Sequence, residues 1–337
     1  MAYRGIVFGW YHQRNAGDDR IAHCIENWLD GHELTFLPHT SSPPIEVLQR
    51  SDYVILGGGS IANQVNGVFR DMRKWMSAVK LPVFGVSITV SQYEEFRKEL
   101  SAIPENSGTI WVRDEKSLEW LNFEKGLVFG PDISWLFPRR FDGLSRTDRV
   151  GVNFRPWSKI QWQPALWKQQ LAQSIGADRL HPWPLCYGKD PDLSVLQDIV
   201  NVSSAPTEFD PTIPSRSQLI VAMRYHAIIF AIQAGTPFVA VDNTRKVRDL
   251  LEQVGLPQLA VPLSDPRSLE EKLAYVENHL SEAALLQTTD SMSEKTWKVA
   301  NQMRDAIESA ADAHRANRYT LSRKLSRKYH GIKTLIS

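Results

Sequence analysis

Cysteine is nearly missing from this sequence: Cys24 and Cys186 are the only two, far apart and outside any CxxC or Cys/His spacing. That excludes the common zinc sites and fits a reducing cytoplasm. Long apolar runs are missing too. None approaches the roughly 20 residues that span a bilayer, and Met1–Trp10 lacks the apolar region and small-residue cleavage site of a secretory signal. A cytoplasmic chain that does not cross a membrane is therefore expected. Excess charge is absent as well, with 39 Lys+Arg against 38 Asp+Glu, so no global field steers the protein to nucleic acid and recognition of an anion has to be local.

What is present suits two α/β domains, since 337 residues are too many for one comfortable core. Eleven tryptophans are many for this length. Aromatic faces suit sugar rings as well as cores, and packing is the first reading. Acidic residues vanish from His314 to Lys333, a stretch holding Arg315, Arg318, Arg323, Lys324, Arg327, Lys328 and Lys333. It is either a solvated tail or a patch for an anionic membrane surface or a diphosphate-linked lipid.

Strand-like apolar runs alternate with helical periodicity almost from the start, the pattern of βαβ units and parallel sheets. Strands are expected at Gly5–Gly9, Leu34–Leu37, Tyr53–Leu56, Val83–Val86, Ile110–Val112, Leu127–Phe129, Val150–Asn153, Leu219–Ala222 and Phe238–Val241. Ile21, Ala22, Ile25, Trp28 and Leu29 share one helix face behind a cap at Asp18 or Asp19. The expected fold class is α/β: two doubly wound Rossmann-like domains, GT-B-like, with a long C-terminal helix. The boundaries read 1–140, a charged aperiodic linker at 141–149, 150–281, a helix at 282–313 and a basic tail at 314–337. Ligands of such folds sit beyond the carboxyl ends of the strands.

Six strand-to-helix junctions carry candidate chemistry. Asn15-Ala16-Gly17-Asp18-Asp19 lets backbone approach a ligand, with Asp18 either a helix cap or a substrate contact. Gly57, Gly58 and Gly59 after an apolar strand form either an anion nest or a close helix–sheet contact. Arg113 clamps an anion or pairs with Asp114. Arg155, held extended by Pro156, precedes Trp157, which either stacks on a sugar or plugs an interface. Arg224 and His226 end an apolar strand just where a helix begins, and burying Arg224 is costly without an anionic partner. Beyond the next strand stands Lys246, either a solvated lysine or a third member of that group.

From about Gly5 to Gly255 the chain resembles the polysaccharide pyruvyltransferase family. The resemblance lies in Asn15–Asp19, Ile55–Gly59, Arg113–Ser117, Gly130-Pro131-Asp132, Asn153–Trp157 and Met223-Arg224-Tyr225-His226-Ala227. It implies a GT-B-like fold, phosphoenolpyruvate as donor and co-substrate without a further cofactor or metal, and a glycan or lipid-linked oligosaccharide as acceptor. By residue matching, Arg224 and His226 are the family's Arg-x-His pair at the donor site in the second domain, and Lys246 is the lysine after the next strand. The first domain is then the acceptor side. Tyr225 replaces the usual Leu, and Asn63 and Gln64 lie where an acid is common.

On this reading Arg224, Lys246, Arg155 and the helix start after His226 hold the donor through charge-assisted bonds. Arg113, Asn15, Gly58, Gly59 and Trp157 complete the substrate contacts. His226 acts as general acid/base or holds the bridging oxygen, and Asp18, reaching from the first domain, activates a sugar hydroxyl. Replacing Arg224 or Lys246 by alanine is expected to leave the fold intact. The alternatives are a nucleotide-sugar glycosyltransferase of the same fold and an inactive glycan-binding protein.

Overall fold

The structure, a computed structural model, describes residues 2–62, 68–90, 94–141 and 143–334. Asn63 and Gln64 lie outside them. Among the described residues, eleven strands form two parallel sheets. The first has β1 (Arg4–Gly9), β2 (Glu33–Pro38), β3 (Tyr53–Ala62), β4 (Val83–Val90), β5 (Ile110–Val112) and β6 (Leu127–Phe129), in the order β2-β1-β3-β4-β5-β6. The second has β7 (Val150–Asn153), β8 (Leu180–Pro182), β9 (Leu219–Ala222), β10 (Phe238–Asp242) and β11 (Ala260–Pro262), in the order β11-β10-β9-β7-β8. In each sheet the chain runs to one side, then crosses over, leaving a switch between β1 and β3 and another between β7 and β9.

Sheets of this kind are buried on both faces, which is why their strands read as unbroken apolar runs. Ile6, Phe8, Val54, Leu56, Val83, Ile88, Ile110 and Val112 build one core. Val150, Val152, Ile220, Val221 and Phe238–Val241 build the other, each large side chain contributing roughly 1.5–3 kcal/mol by leaving water. Five of the eleven tryptophans, Trp28, Trp111, Trp135, Trp167 and Trp183, are fully buried packing residues.

Three expectations change. β8 and β11 have no counterpart in the apolar pattern, because each is three residues long, ends in proline and lies at an edge of the second sheet, where a missing N–H donor is tolerated. β3 does not stop at Leu56: Gly57 and Gly59 pair with Val86 and Ile88, and the register shifts after Gly59. Gly58 and Gly59 take φ of 26° and 82°, so the glycines serve a bulged strand rather than a turn after it.

The third change concerns the C-terminus. One helix runs from Glu282 to Thr334, through the position where a tail was expected. His314 is buried, its Nδ1 3.1 Å from the Lys80 carbonyl oxygen. Arg315 donates to Asp52 at 2.7 Å and lies over the Tyr3 ring, 4.5 Å from its centre. His314 and Arg315, at the start of the basic stretch, are thus held by contact with Lys80, Asp52 and Tyr3.

The chain divides into two compact units: Met1–Trp10, Ile25–Gly130 and Lys298–Ser337 form the first, Tyr11–Cys24 and Pro131–Trp297 the second. Residues 141–149 fall inside the second unit. So does the loop Tyr11–Asn15 with Ala16–Cys24 of the helix Ala16–Trp28.

Candidate active site

At the switch of the second unit Asn153, the last residue of β7, pairs with Ala222, the last of β9. Arg155 and Arg224 follow immediately. Asn153 is fully buried and ties the two strand ends together: its Oδ1 accepts from the Arg224 N–H at 3.0 Å, and its Nδ2 donates to the Trp183 carbonyl at 3.0 Å.

Arg224 has the anionic partner that its burial demands. Its Nε donates to Asp192 Oδ1 and Oδ2 at 2.9 and 2.8 Å, and its Nη2 also donates to Oδ1. Asp192 is completely buried and accepts two further bonds from the N–H groups of Leu185 (2.8 Å) and Cys186 (3.2 Å). Burial opposes the charge on Arg224, but the attraction of Asp192 outweighs it and raises the guanidinium pKa. Replacement of Arg224 by alanine would strand Asp192, so Arg224 is part of the frame as well as of the site.

Arg155 is the contrasting case. Its Nε is buried with no hydrogen-bond partner. Burial, and then the nearby charge of Arg224, push its pKa down. Its Cζ sits 5.2 Å from the Trp157 ring centre, and Lys159 Nζ approaches the same ring at 5.7 Å. Trp157 is half-buried and packs against the second core, with both cations over its ring.

The helix Tyr225–Gln233 begins at Arg224 with no side chain capping it, and places His226 in its first turn. The ring of His226 lies against Gly17: a Cβ at position 17 would stand 2.2 Å from Nδ1. On the other edge Nε2 is 3.8 Å from Asp132 Oδ1 and has no hydrogen-bond partner. Asp132 is fully buried and caps the short turn Ile133–Trp135, accepting from the N–H (2.8 Å) and hydroxyl of Ser134.

The Asn15–Asp19 segment reaches His226 from within the same unit. Ala16 N–H donates to the Leu185 carbonyl at 2.8 Å, Tyr187 N–H to the Arg14 carbonyl at 2.9 Å, and Asn15 bridges to Cys186. Asp18 therefore does not come from the first unit. Nor does it cap the helix: Ala16–Trp28 begins behind Asn15, whose Oδ1 accepts from Gly17 N–H at 3.2 Å, leaving Asp18 and Asp19 in the first turn, where a carboxylate suits the helix dipole. Asp18 lends its charge to Arg155 and Arg224. Asp19 turns back to accept from His12 N–H at 3.3 Å; burial raises its pKa, and that bond opposes the rise.

Lys246, half-buried, is the second residue of the helix Arg245–Gln253, which follows β10 and also starts without a side-chain cap. β10 pairs with β9, so the two junctions are neighbours. Arg113, Gly58 and Gly59 belong to the first unit. Arg113 is buried there and donates from Nε to Thr89 Oγ1 at 2.8 Å, while Asp114 caps the helix Glu115–Leu121. The second unit thus gathers Asn15, Asp18, Arg155, Trp157, Arg224, His226 and Lys246. Asp192, Asp132 and the fit of Gly17 to His226 were missed. The demand of a buried arginine for an acid was the one signal for Asp192.

Two doubly wound parallel sheets with the long final helix define a GT-B-like α/β protein, an architecture also found in Anabaena HepE in complex with UDP-glucose (11% identity, 91% of this chain and 99% of that one, TM-score 0.58). A UDP-GlcNAc 2-epimerase from Neisseria meningitidis is similar in fold (11% identity, 90% and 100% covered, TM-score 0.53). In sequence the chain is 24% identical over 301 residues to General stress protein 30 of Bacillus subtilis (strain 168), covering 79% of this chain and 82% of that protein. The sequence profile of the polysaccharide pyruvyl transferase family matches residues 15–193 and 197–245, well over half of the chain, and the protein belongs to that family. The match begins at Asn15, includes Arg155, Asp192, Arg224 and His226, and ends one residue short of Lys246.

Proposed function

We propose that this transferase takes pyruvate from phosphoenolpyruvate at the switch of the second unit and places it as a ketal on a sugar of a glycan or of its lipid-linked precursor. The observation that carries the proposal is Arg155: a half-buried guanidinium whose buried Nε lacks a hydrogen-bond partner, beside a second guanidinium, at the carboxyl ends of β7 and β9. An anion there relieves both the desolvation of Arg155 and its repulsion from Arg224. The uncapped start of Tyr225–Gln233 adds backbone N–H donors, and Lys246 at the next junction adds a cation.

In the reaction as we write it, a proton added to the methylene carbon makes a methyl group and leaves an oxocarbenium-like centre at C2. One sugar hydroxyl bonds to that carbon and loses its proton; a second displaces phosphate and closes a cyclic ketal. His226 moves the proton, and Asp18 assists a sugar hydroxyl. The scheme needs no metal or further cofactor. No helix among the described residues is long and apolar enough to cross a membrane; a lipid-linked acceptor would be met at the inner membrane face, in the cytoplasm. A thermal-shift comparison tests the donor: phosphoenolpyruvate raises Tm and UDP-sugars do not. Stabilisation by a UDP-sugar alone would favour the glycosyltransferase reading.

A further inference from the structure

We propose that Asp132 is the positioning carboxylate of His226, holding the proton on Nε2, and that residue 17 is glycine because only glycine leaves Nδ1 uncovered for proton transfer. The inference rests on the family reaction and on His226 as its proton carrier; Asp132 and Gly17 have no other place in that chemistry.

Three observations converge. His226 Nε2 has no hydrogen-bond partner and stands 3.8 Å from Asp132 Oδ1, within reach of a small rotation of the ring or carboxylate. Asp132 itself cannot wander, since Oδ1 is held by the Ser134 N–H and hydroxyl inside a fully buried turn. A carboxylate facing one imidazole nitrogen favours the tautomer with the proton there, which leaves the other nitrogen as the proton acceptor. That other nitrogen is Nδ1, the atom that a Cβ at position 17 would meet at 2.2 Å.

Tyr225 meets the ring edge-on at 5.2 Å and Phe230 lies tilted to it at 6.2 Å, both without charge. Asp132 thus connects Gly130-Pro131-Asp132 to the Arg-x-His pair, and Gly17 connects Asn15–Asp19 to it.

The test uses Asp132→Asn, which keeps an oxygen for Ser134 but replaces the charge with an amide. In protein labelled with ¹⁵N-histidine, the neutral ring of His226 should be the Nε2–H tautomer in the wild type and should lose that preference in Asp132→Asn. The tautomer is read without substrate, so a failure of the phosphoenolpyruvate reading leaves it intact. Under turnover, Asp132→Asn should lose on the order of 10²-fold in kcat, with KM for phosphoenolpyruvate within about threefold and Tm close to wild type. A purely capping Asp132 predicts unchanged tautomer and unchanged kcat, and that result overturns the proposal. Should Asp132→Asn fold poorly, Gly17→Ala leaves Asp132 and its Ser134 bonds in place. It should lower kcat similarly while the fold survives, and full activity in Gly17→Ala overturns the proposal as well.

Discussion

Asp192 takes one whole edge of the Arg224 guanidinium, with Nε 2.9 and 2.8 Å from its two carboxylate oxygens, and both side chains are buried. Breaking such a pair leaves an uncompensated interior charge, at a cost of about 3–5 kcal/mol. Arg224→Ala and Asp192→Ala should therefore both shift the denaturation midpoint strongly, as read by tryptophan fluorescence. The double variant should lose less than the two single losses added together. Additive losses would show that the two residues act independently.

A second coupled pair sits in the first unit, where Arg315 reaches the buried Asp52. Burial raises the pKa of Asp52, but the bonds from Arg315 and the Arg4 N–H outweigh it, leaving the carboxyl below its usual range. A depressed carboxyl stabilises above its unfolded value, about 3.9, and loses that contribution as pH falls through the folded value. Arg315→Ala should lower stability at pH 7 by about 1–3 kcal/mol, and its deficit in Tm should shrink towards pH 3. Truncation before His314 should destabilise the protein at least as much. A truncated chain that melts like the full one would restore the picture of a free tail.

Apolar strands were readable because the central strands of both sheets are continuous hydrophobic runs; β5, β7 and β9 fall where the pattern puts them, as does the apolar edge strand β6. The edge strands β8 and β11 were not, since a three-residue strand ending in proline carries no alternation. The Arg-x-His pair was legible as a motif. What it touches was not, because Asp192 lies in an aperiodic loop 32 positions from Arg224 in sequence. The Asn15–Asp19 loop could not be assigned to a unit from sequence either: backbone bonds between residues 14–16 and 185–187 decide it, and backbone atoms leave no trace in side-chain patterning.

His226 and Lys246 should separate in kinetics. His226→Ala should keep donor affinity and lose roughly 10²–10⁴-fold in kcat, the range for a positioned acid or base. Lys246→Ala should raise the donor Kd with a smaller change in kcat at saturation, because a cation that binds ground state and transition state alike contributes uniform binding. Initial rates of phosphate release across donor concentrations decide it; equal losses in the same parameter would merge the two roles.

Arg155 tests the account most directly, because its Nε is a buried cationic donor at the switch with no hydrogen-bond partner. Titration calorimetry of phosphoenolpyruvate into wild type and Arg155→Ala is the measurement. Losing one charge-assisted contact of about 1.5–3 kcal/mol should weaken donor binding roughly 10- to 100-fold, and Tm should hold or rise, because a desolvated cation has been removed. Unchanged phosphoenolpyruvate affinity in Arg155→Ala, or no binding to the wild type, would contradict the placement of the donor between β7 and β9.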